Sequence, residues 1–382
     1  MLKETVDFIR SIYKTPKDFI PLHEPRFVGN EKPYLNECID STFVSSVGKF
    51  VNQFEDDLKK YTGAKYAIAT SNGTAALHIA LVLAKVQRND LVITQPLTFV
   101  ATCNAIAYLG ADPLFVDVDK RTLGMSPSKL HDFLHTSTYI NDKQECIHIA
   151  TQRRISACVP MHTFGFPVEM DSIMEICDVF HVAVVEDAAE SIGSFYKEQH
   201  TGTFGLLGTL SFNGNKTITC GGGGAVLTND DALGVLAKHL TTQAKTPHPW
   251  EFNHDHIGYN YRMPNINAAL ACAQLECLDS FIENKRQLAQ LYANFFDCMP
   301  YTFLTEPKNS KANYWLQAIL VGDRTERDAF LDFTNKNAVM TRPAWTLMHK
   351  LPMFEHCITA NVENAQFLED RLVNIPSSVR VN

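Results

Sequence analysis

The chemistry begins at a lysine inside a glycine-dense run. Gly202, Gly205, Gly208, Gly214, Gly221, Gly222, Gly223 and Gly224 are eight of the nineteen glycines in the chain. Such density marks backbone that bends sharply or approaches something closely. Ser211-Phe212-Asn213-Gly214-Asn215-Lys216-Thr217 lies within it. The run matches neither a dinucleotide-binding nor a P-loop fingerprint. Taken alone it reads as a surface loop with a solvated lysine. Three further stretches carry polar or aromatic groups next to a strand. Ser71-Asn72-Gly73-Thr74-Ala75-Ala76-Leu77 leaves a strand, turns on glycine and starts a helix with Thr74 as its cap, and a helix N-terminus attracts phosphate. Val185-Glu186-Asp187-Ala188-Ala189-Glu190 sets acids at the carboxyl end of an apolar strand, where open α/β sheets bind ligands and an acid can hold a cation. Pro96-Leu97-Thr98-Phe99-Val100-Ala101-Thr102 sets an aromatic ring just past another strand, over a flat ligand or in the core. Each has an ordinary structural reading. Together they are the parts pyridoxal phosphate requires: a Schiff-base lysine, an acid for the pyridinium nitrogen, a phosphate site and a ring face.

These groups need a scaffold that brings strand ends together. Tyr66–Thr70, Leu91–Thr94, Pro113–Val116, Ile155–Pro160 and Val182–Glu186 are short runs apolar on both faces. Helical stretches such as Ala75–Ala84 and Ala101–Leu109 alternate with them. That pattern predicts a parallel sheet covered on both sides. A polar connector, Thr241–His256, precedes a long helix expected over Asn265–Phe295. Beyond Pro300, a strand near Leu316–Val321 and a helix near Thr325–Asn335 predict a smaller α+β domain. The expected division is 1–245, an N-terminal segment with the large domain, and 246–382, the small domain.

The 382 residues include 45% hydrophobic and 20% charged, an ordinary soluble composition that excludes disorder and a small disulfide scaffold. The net charge of −8 gives no pull toward nucleic acid or anionic membrane. No run reaches the ~18 apolar residues of a membrane span. The opening residues do not read as a signal peptide. Ten cysteines without a Cys-x-x-Cys pair argue against a zinc ribbon, and no metal site is expected. Reduced, mostly buried thiols and a cytoplasmic setting are expected.

The sequence resembles the pyridoxal-phosphate-dependent nucleotide-sugar aminotransferases of the DegT/DnrJ/EryC1/StrS family, over roughly residues 20 to 376. The resemblance rests on Asn72-Gly73-Thr74-Ala75-Ala76-Leu77, Thr98-Phe99-Val100-Ala101-Thr102, Glu186-Asp187-Ala188-Ala189-Glu190, Ser211-Phe212 with Lys216, and Gly258-Tyr259-Asn260-Tyr261-Arg262. It implies an aspartate-aminotransferase-like fold (fold type I), a large α/β domain with a mainly parallel sheet and a smaller C-terminal α+β domain. It implies that Lys216 carries the cofactor, Asp187 pairs with the ring nitrogen and Phe99 stacks on the ring. Gly73, Thr74 and Ser211 would bind the phosphate, and Glu190 would lie near the ring hydroxyl. Asn260 would reach the phosphate of a second subunit, giving a homodimer with shared active sites. Gly222 departs from the acid the family often has after the lysine. Relatives that dehydrate carry histidine at the lysine position, so Lys216 favours transamination.

Two stretches resemble enzymes that aminate C4 of UDP- or GDP-linked 4-keto-6-deoxy-N-acetylhexosamines for bacillosamine or legionaminic acid-type glycans. They are Ile20-Pro21-Leu22-His23-Glu24-Pro25-Arg26-Phe27-Val28-Gly29-Asn30-Glu31 and Thr341-Arg342-Pro343-Ala344-Trp345-Thr346-Leu347-Met348-His349. In that reading glutamate is the donor, Arg342 pairs with the diphosphate, Trp345 stacks, and His349 donates to the sugar or nucleotide. The alternatives are a catalytically silent regulatory or binding protein of the same fold, or a cysteine desulfurase using Cys220.

Overall fold

The structure is a computed structural model that describes residues 1–380. Its centre is a nine-stranded sheet. Tyr66–Thr70, Gly224–Thr228, Leu207–Ser211, Ala183–Asp187, Arg154–Val159, Leu91–Thr94 and Asp112–Phe115 lie side by side in that order. A hairpin, Thr138–Ile140 with Cys146–His148, extends it from Arg154–Val159. The strands from Leu207–Ser211 to Asp112–Phe115 are parallel. Gly224–Thr228 runs antiparallel to both its neighbours, which turns Tyr66–Thr70 back into the common direction. The carboxyl ends of Tyr66–Thr70, Leu91–Thr94, Ala183–Asp187 and Leu207–Ser211 therefore share one edge of the sheet.

Helices cover both faces, so the strands are apolar on each side. Leu91–Thr94 and Leu207–Ser211 are buried throughout. Helix Gly73–Leu83 has little amphipathicity for the same reason: Ala76, Ile79, Ala80 and Leu81 are all buried against the sheet and neighbouring helices. Its cap is Asn72, whose side chain accepts from Ala75 N, and not Thr74 as the sequence suggested. The geometry explains the change: Asn72 is extended at φ −168°, and Thr74 is already inside the first turn.

The helix expected over Asn265–Phe295 is two helices, Asn265–Glu276 and Leu278–Phe296, which meet at Cys277. They share one core around their junction, where Leu278, Phe281 and Ile282 join Ala268, Ala269 and Cys272, and part beyond it. The first packs with Lys49–Thr62 around Phe54, Leu58 and Phe212. Beyond its first turns the second packs with the four-stranded sheet of the small domain, through Leu288, Tyr292 and Phe296. The sequence carries no breaker at 277, so only the backbone there marks the interruption. The N-terminal helix Leu2–Tyr13 also lies on the small-domain core, with Phe8 stacked on Phe295 at 3.9 Å. The N-terminal helix therefore packs with C-terminal residues of the chain. The ten cysteines are free; Cys298 is exposed, Cys277 half-buried and the others buried. Among the described residues, no helix is long and apolar enough to cross a membrane.

Candidate active site

A cavity of about 300 Å³ opens where the four strand ends meet. Gly73, Thr74, Phe99, Asp187, Glu190, Ser211, Lys216 and Trp345 line it, as do Asn72, Thr102 and Trp315. The structure does not bring Asn260, Arg342 or His349 into it. Asn260 is exposed just past the connector, bridged to Thr242. Arg342 is exposed on a short edge strand and donates to Asn335 Oδ1 and to the Thr341 carbonyl. His349 rests against Phe115, ring centroids 6.2 Å apart.

Glycine brings two of the elements together. A Cβ at residue 73 would meet Ser211 Cβ at 2.8 Å, and one at residue 224 would meet the Asn72 carbonyl oxygen at 2.5 Å. Only bare backbone lets the start of the helix sit this close to the end of Leu207–Ser211. The Ser211 hydroxyl thereby stands beside Gly73 and Thr74, at the end of a helix that has N–H groups to give.

Alternation along Ala183–Asp187 divides its two acids. Glu186 points away from the cavity and accepts from the backbone N–H groups of Gly202, Phe204 and Gly205, with His162 Nε2 at 3.0 Å. Part of the glycine run thus serves to hold a buried carboxylate. Asp187 faces the cavity and is 2% exposed. Thr102 Oγ1 donates to its Oδ2 at 2.7 Å, and Ala189 N donates to its Oδ1 at 3.2 Å. Thr98 Oγ1 lies 2.8 Å from Thr102 Oγ1, so a hydroxyl pair backs the carboxylate.

Lys216 Nζ lies 3.3 Å from Glu190 Oε1 and 4.2 Å from the centre of the Trp315 ring. Glu190 Oε2 accepts from Phe164 N at 2.9 Å. Burial raises the Glu190 carboxyl to about 7, against the lowering effect of the Lys216 charge and the Phe164 N–H. Cys220 is buried, with its thiol near the carbonyls of Phe212 and Gly222, and burial pushes it up to about 12. A thiol held protonated is a poor nucleophile, which counts against the desulfurase reading.

A scan of family models matches the DegT/DnrJ/EryC1/StrS aminotransferase family over residues 26–382. The GDP-perosamine synthase of Escherichia coli O157:H7 is 38% identical, over 94% of this chain and 93% of its own. The GDP-perosamine synthase of Vibrio cholerae is 35% identical, over 88% of each. The chain belongs to the DegT/DnrJ/EryC1/StrS aminotransferase family. It is a sugar aminotransferase that uses pyridoxal phosphate. Its fold matches that of Helicobacter pylori PseC, an aminotransferase involved in the biosynthesis of pseudoaminic acid, with a TM-score of 0.85 at 23% identity over 96% of this chain and 95% of that one.

The cavity fits this family's cofactor by its donor set. It offers an amine, a buried carboxylate with two donors, and a hydroxyl beside a helix N-terminus in a cradle that a Cβ at residue 73 would fill. The sequence pointed to most of these groups through the resemblance. It did not single out Thr102, although the quoted Thr98–Thr102 block contains it. The block with Asn72 likewise contains the cap, which the sequence places at Thr74. Trp315 carried no signal: its indole N–H reaches the carbonyl of Asn215 from 100 positions along the chain.

Proposed function

We propose that this aminotransferase moves an amino group from glutamate to C4 of a nucleotide-linked 4-keto-6-deoxy sugar, with Lys216 as its reacting amine. The observation that carries the reading is Lys216 Nζ inside the cavity, across from the buried Asp187 carboxylate. Two relatives that cover most of their own length are GDP-perosamine synthases, which favours a GDP-linked substrate. The N-acetylated, bacillosamine-type substrate is a second reading. Trp345 in the cavity wall supports it, with Arg342 and His349 lying outside.

Lys216 would hold pyridoxal phosphate, and Gly73, Thr74 and Ser211 would bind its phosphate. Phe99, about half exposed at the mouth, would cover one face of the ring. When bound, the cofactor supplies an electron sink for the carbon that loses a proton. Asp187 would hold a proton on the ring nitrogen and keep that sink strong, and Thr102 donates to Asp187 and orients it. The Lys216 amine would take the proton from the donor carbon and hold it for return on the same face. The sugar half-reaction uses the same groups in reverse. Glu190, near the amine and titrating around neutrality, receives or gives a hydrogen bond according to its charge.

Asn260 would complete the phosphate site of a second copy. Its exposed position, with exposed Trp250, Phe252 and Ile257 nearby in sequence, supports a homodimer with shared sites. The test of function is incubation with glutamate and GDP- and UDP-linked 4-keto-6-deoxy sugars, N-acetylated or not, read by mass spectrometry. A GDP-amino-sugar is the expected product. Product only from a UDP-linked N-acetylated sugar would establish the second reading, and no product from any sugar would favour the silent regulatory protein.

A further inference from the structure

We propose that Trp315 is a positioning residue for the reacting amine, holding Lys216 both through its backbone and through its charge. The proposal rests on the reading of Lys216 as the amine that bonds the cofactor. One side chain makes two different contacts. The indole Nε1–H donates to the Asn215 carbonyl oxygen at 2.7 Å, which ties down the peptide leading into Lys216. The ring centre lies 4.2 Å from Lys216 Nζ. The face of an aromatic ring attracts an ammonium and has little hold on a neutral amine. Lys216 alternates between those two forms as it carries a proton, so the ring steadies it only while it is loaded. Glu190 Oε1, 3.3 Å from the same nitrogen, provides a second wall.

Trp315 is itself fixed by partners outside the cavity. Asn313 Oδ1 accepts from its backbone N–H at 2.8 Å, and the buried Lys285 Nζ donates to its carbonyl at 3.1 Å. The Asn313 amide also donates to the carbonyls of Glu190 and Ile192, both at 2.9 Å. The tryptophan follows the long helix of the small domain in the chain, whereas Lys216 and Glu190 come from the large one. Its placement thus ties the lysine to the way the two domains are packed. A core tryptophan needs some acceptor for its N–H. Here that acceptor is the peptide next to the reacting lysine, and its ring lies against the lysine's charge.

The test separates the two contacts. Trp315→Phe keeps a ring face and removes the N–H; Trp315→Leu removes both. Fluorinated tryptophans placed at position 315 keep the shape and the N–H while draining charge from the ring face. One readout is kcat and KM for glutamate. Another needs no cofactor: a brief acetic anhydride pulse on the apo-protein, with acetylation of Lys216 measured by peptide mass spectrometry. We expect kcat to fall about tenfold in Trp315→Phe and about a hundredfold in Trp315→Leu, with KM within about threefold. The fluorine series should lower kcat stepwise and raise Lys216 acetylation severalfold, at an unchanged unfolding temperature. A flat fluorine series, unchanged acetylation, or a loss confined to KM overturns the proposal. Borohydride trapping of the wild-type holoenzyme separates the two failures. Label on Lys216 with a flat series overturns the role of Trp315 alone, and label elsewhere overturns the reading of Lys216 as well.

Discussion

Glu186 and Asp187 are neighbours on one strand, yet only Asp187 reaches the cavity, because alternate side chains leave a strand on opposite faces. Their replacement should therefore fail in different ways. Asp187→Asn should still fold and bind pyridoxal phosphate, with kcat down roughly 10²–10³-fold because the ring nitrogen loses its counter-charge. Steady-state kinetics beside a cofactor titration checks this, and turnover equal to wild type would remove Asp187 from the role. Lys216→Ala should abolish turnover and leave no site for borohydride labelling. Glu190 gives a pH dependence in the apo-protein. Its folded value of about 7 lies above the ordinary carboxyl value of 4.5, so the native state holds its proton over a range where the unfolded chain has released it. Stability from this group is full below the unfolded value and declines as pH rises toward about 7. Glu190→Gln should flatten that decline, by on the order of 1–3 kcal/mol between pH 4.5 and 7. Parallel urea melts at the two ends of the range would detect it.

Short elements set the positions of these groups. The start of helix Gly73–Leu83 depends on the Asn72 side chain at 2.8 Å from Ala75 N and on the missing Cβ at residue 73. Asn72→Ala should cost about 1 kcal/mol of stability, as expected for loss of a helix cap. Gly73→Ala should act on ligand affinity instead, since its methyl would press against Ser211 and fill the proposed phosphate cradle. We expect cofactor affinity to weaken at least about tenfold, with a smaller effect on melting temperature. In helix Leu278–Phe296, Lys285 is fully buried and donates to the carbonyls of Trp315 and Ser377. Burial lowers its amine to about 7. Replacing it with methionine leaves two carbonyls unpaired and should destabilise the small domain by about 2–4 kcal/mol, read by chemical denaturation.

At the scale of the whole molecule, the cavity lacks one of the cofactor-binding groups that the resemblance implies, because Asn260 lies on the outer surface of the same chain. A shared site makes a sharp prediction. Lys216→Ala and Asn260→Ala subunits, each impaired as homodimers, should regain up to about a quarter of wild-type activity when unfolded and refolded together, since a mixed dimer restores one intact site. Absence of complementation, with both variants folded and dimeric, would place each site within a single chain.

Much of the large domain could be read along the chain, because doubly covered strands and their helices leave continuous apolar runs, and because the polar groups of the cavity follow strand ends in order. Asn72-Gly73-Thr74, Phe99, Asp187 with Glu190, and Ser211 with Lys216 are local blocks of this kind. What lay beyond the sequence depended on contacts between distant segments. The break at Cys277 has no residue that stops a helix to announce it, and beyond it the second helix runs from the core it shares with the first into the small-domain core. Which of Glu186 and Asp187 faces the cavity depends on strand register, which is set by neighbouring strands. Trp315 meets Lys216 only after the small domain docks, and no local pattern records a contact made 100 residues away. The amino-acid order determined the chemical groups and the strands that carry them; the packing of one domain on the other decided which of those groups touch, since side-chain contact is a property of distance in space and not of position along the chain.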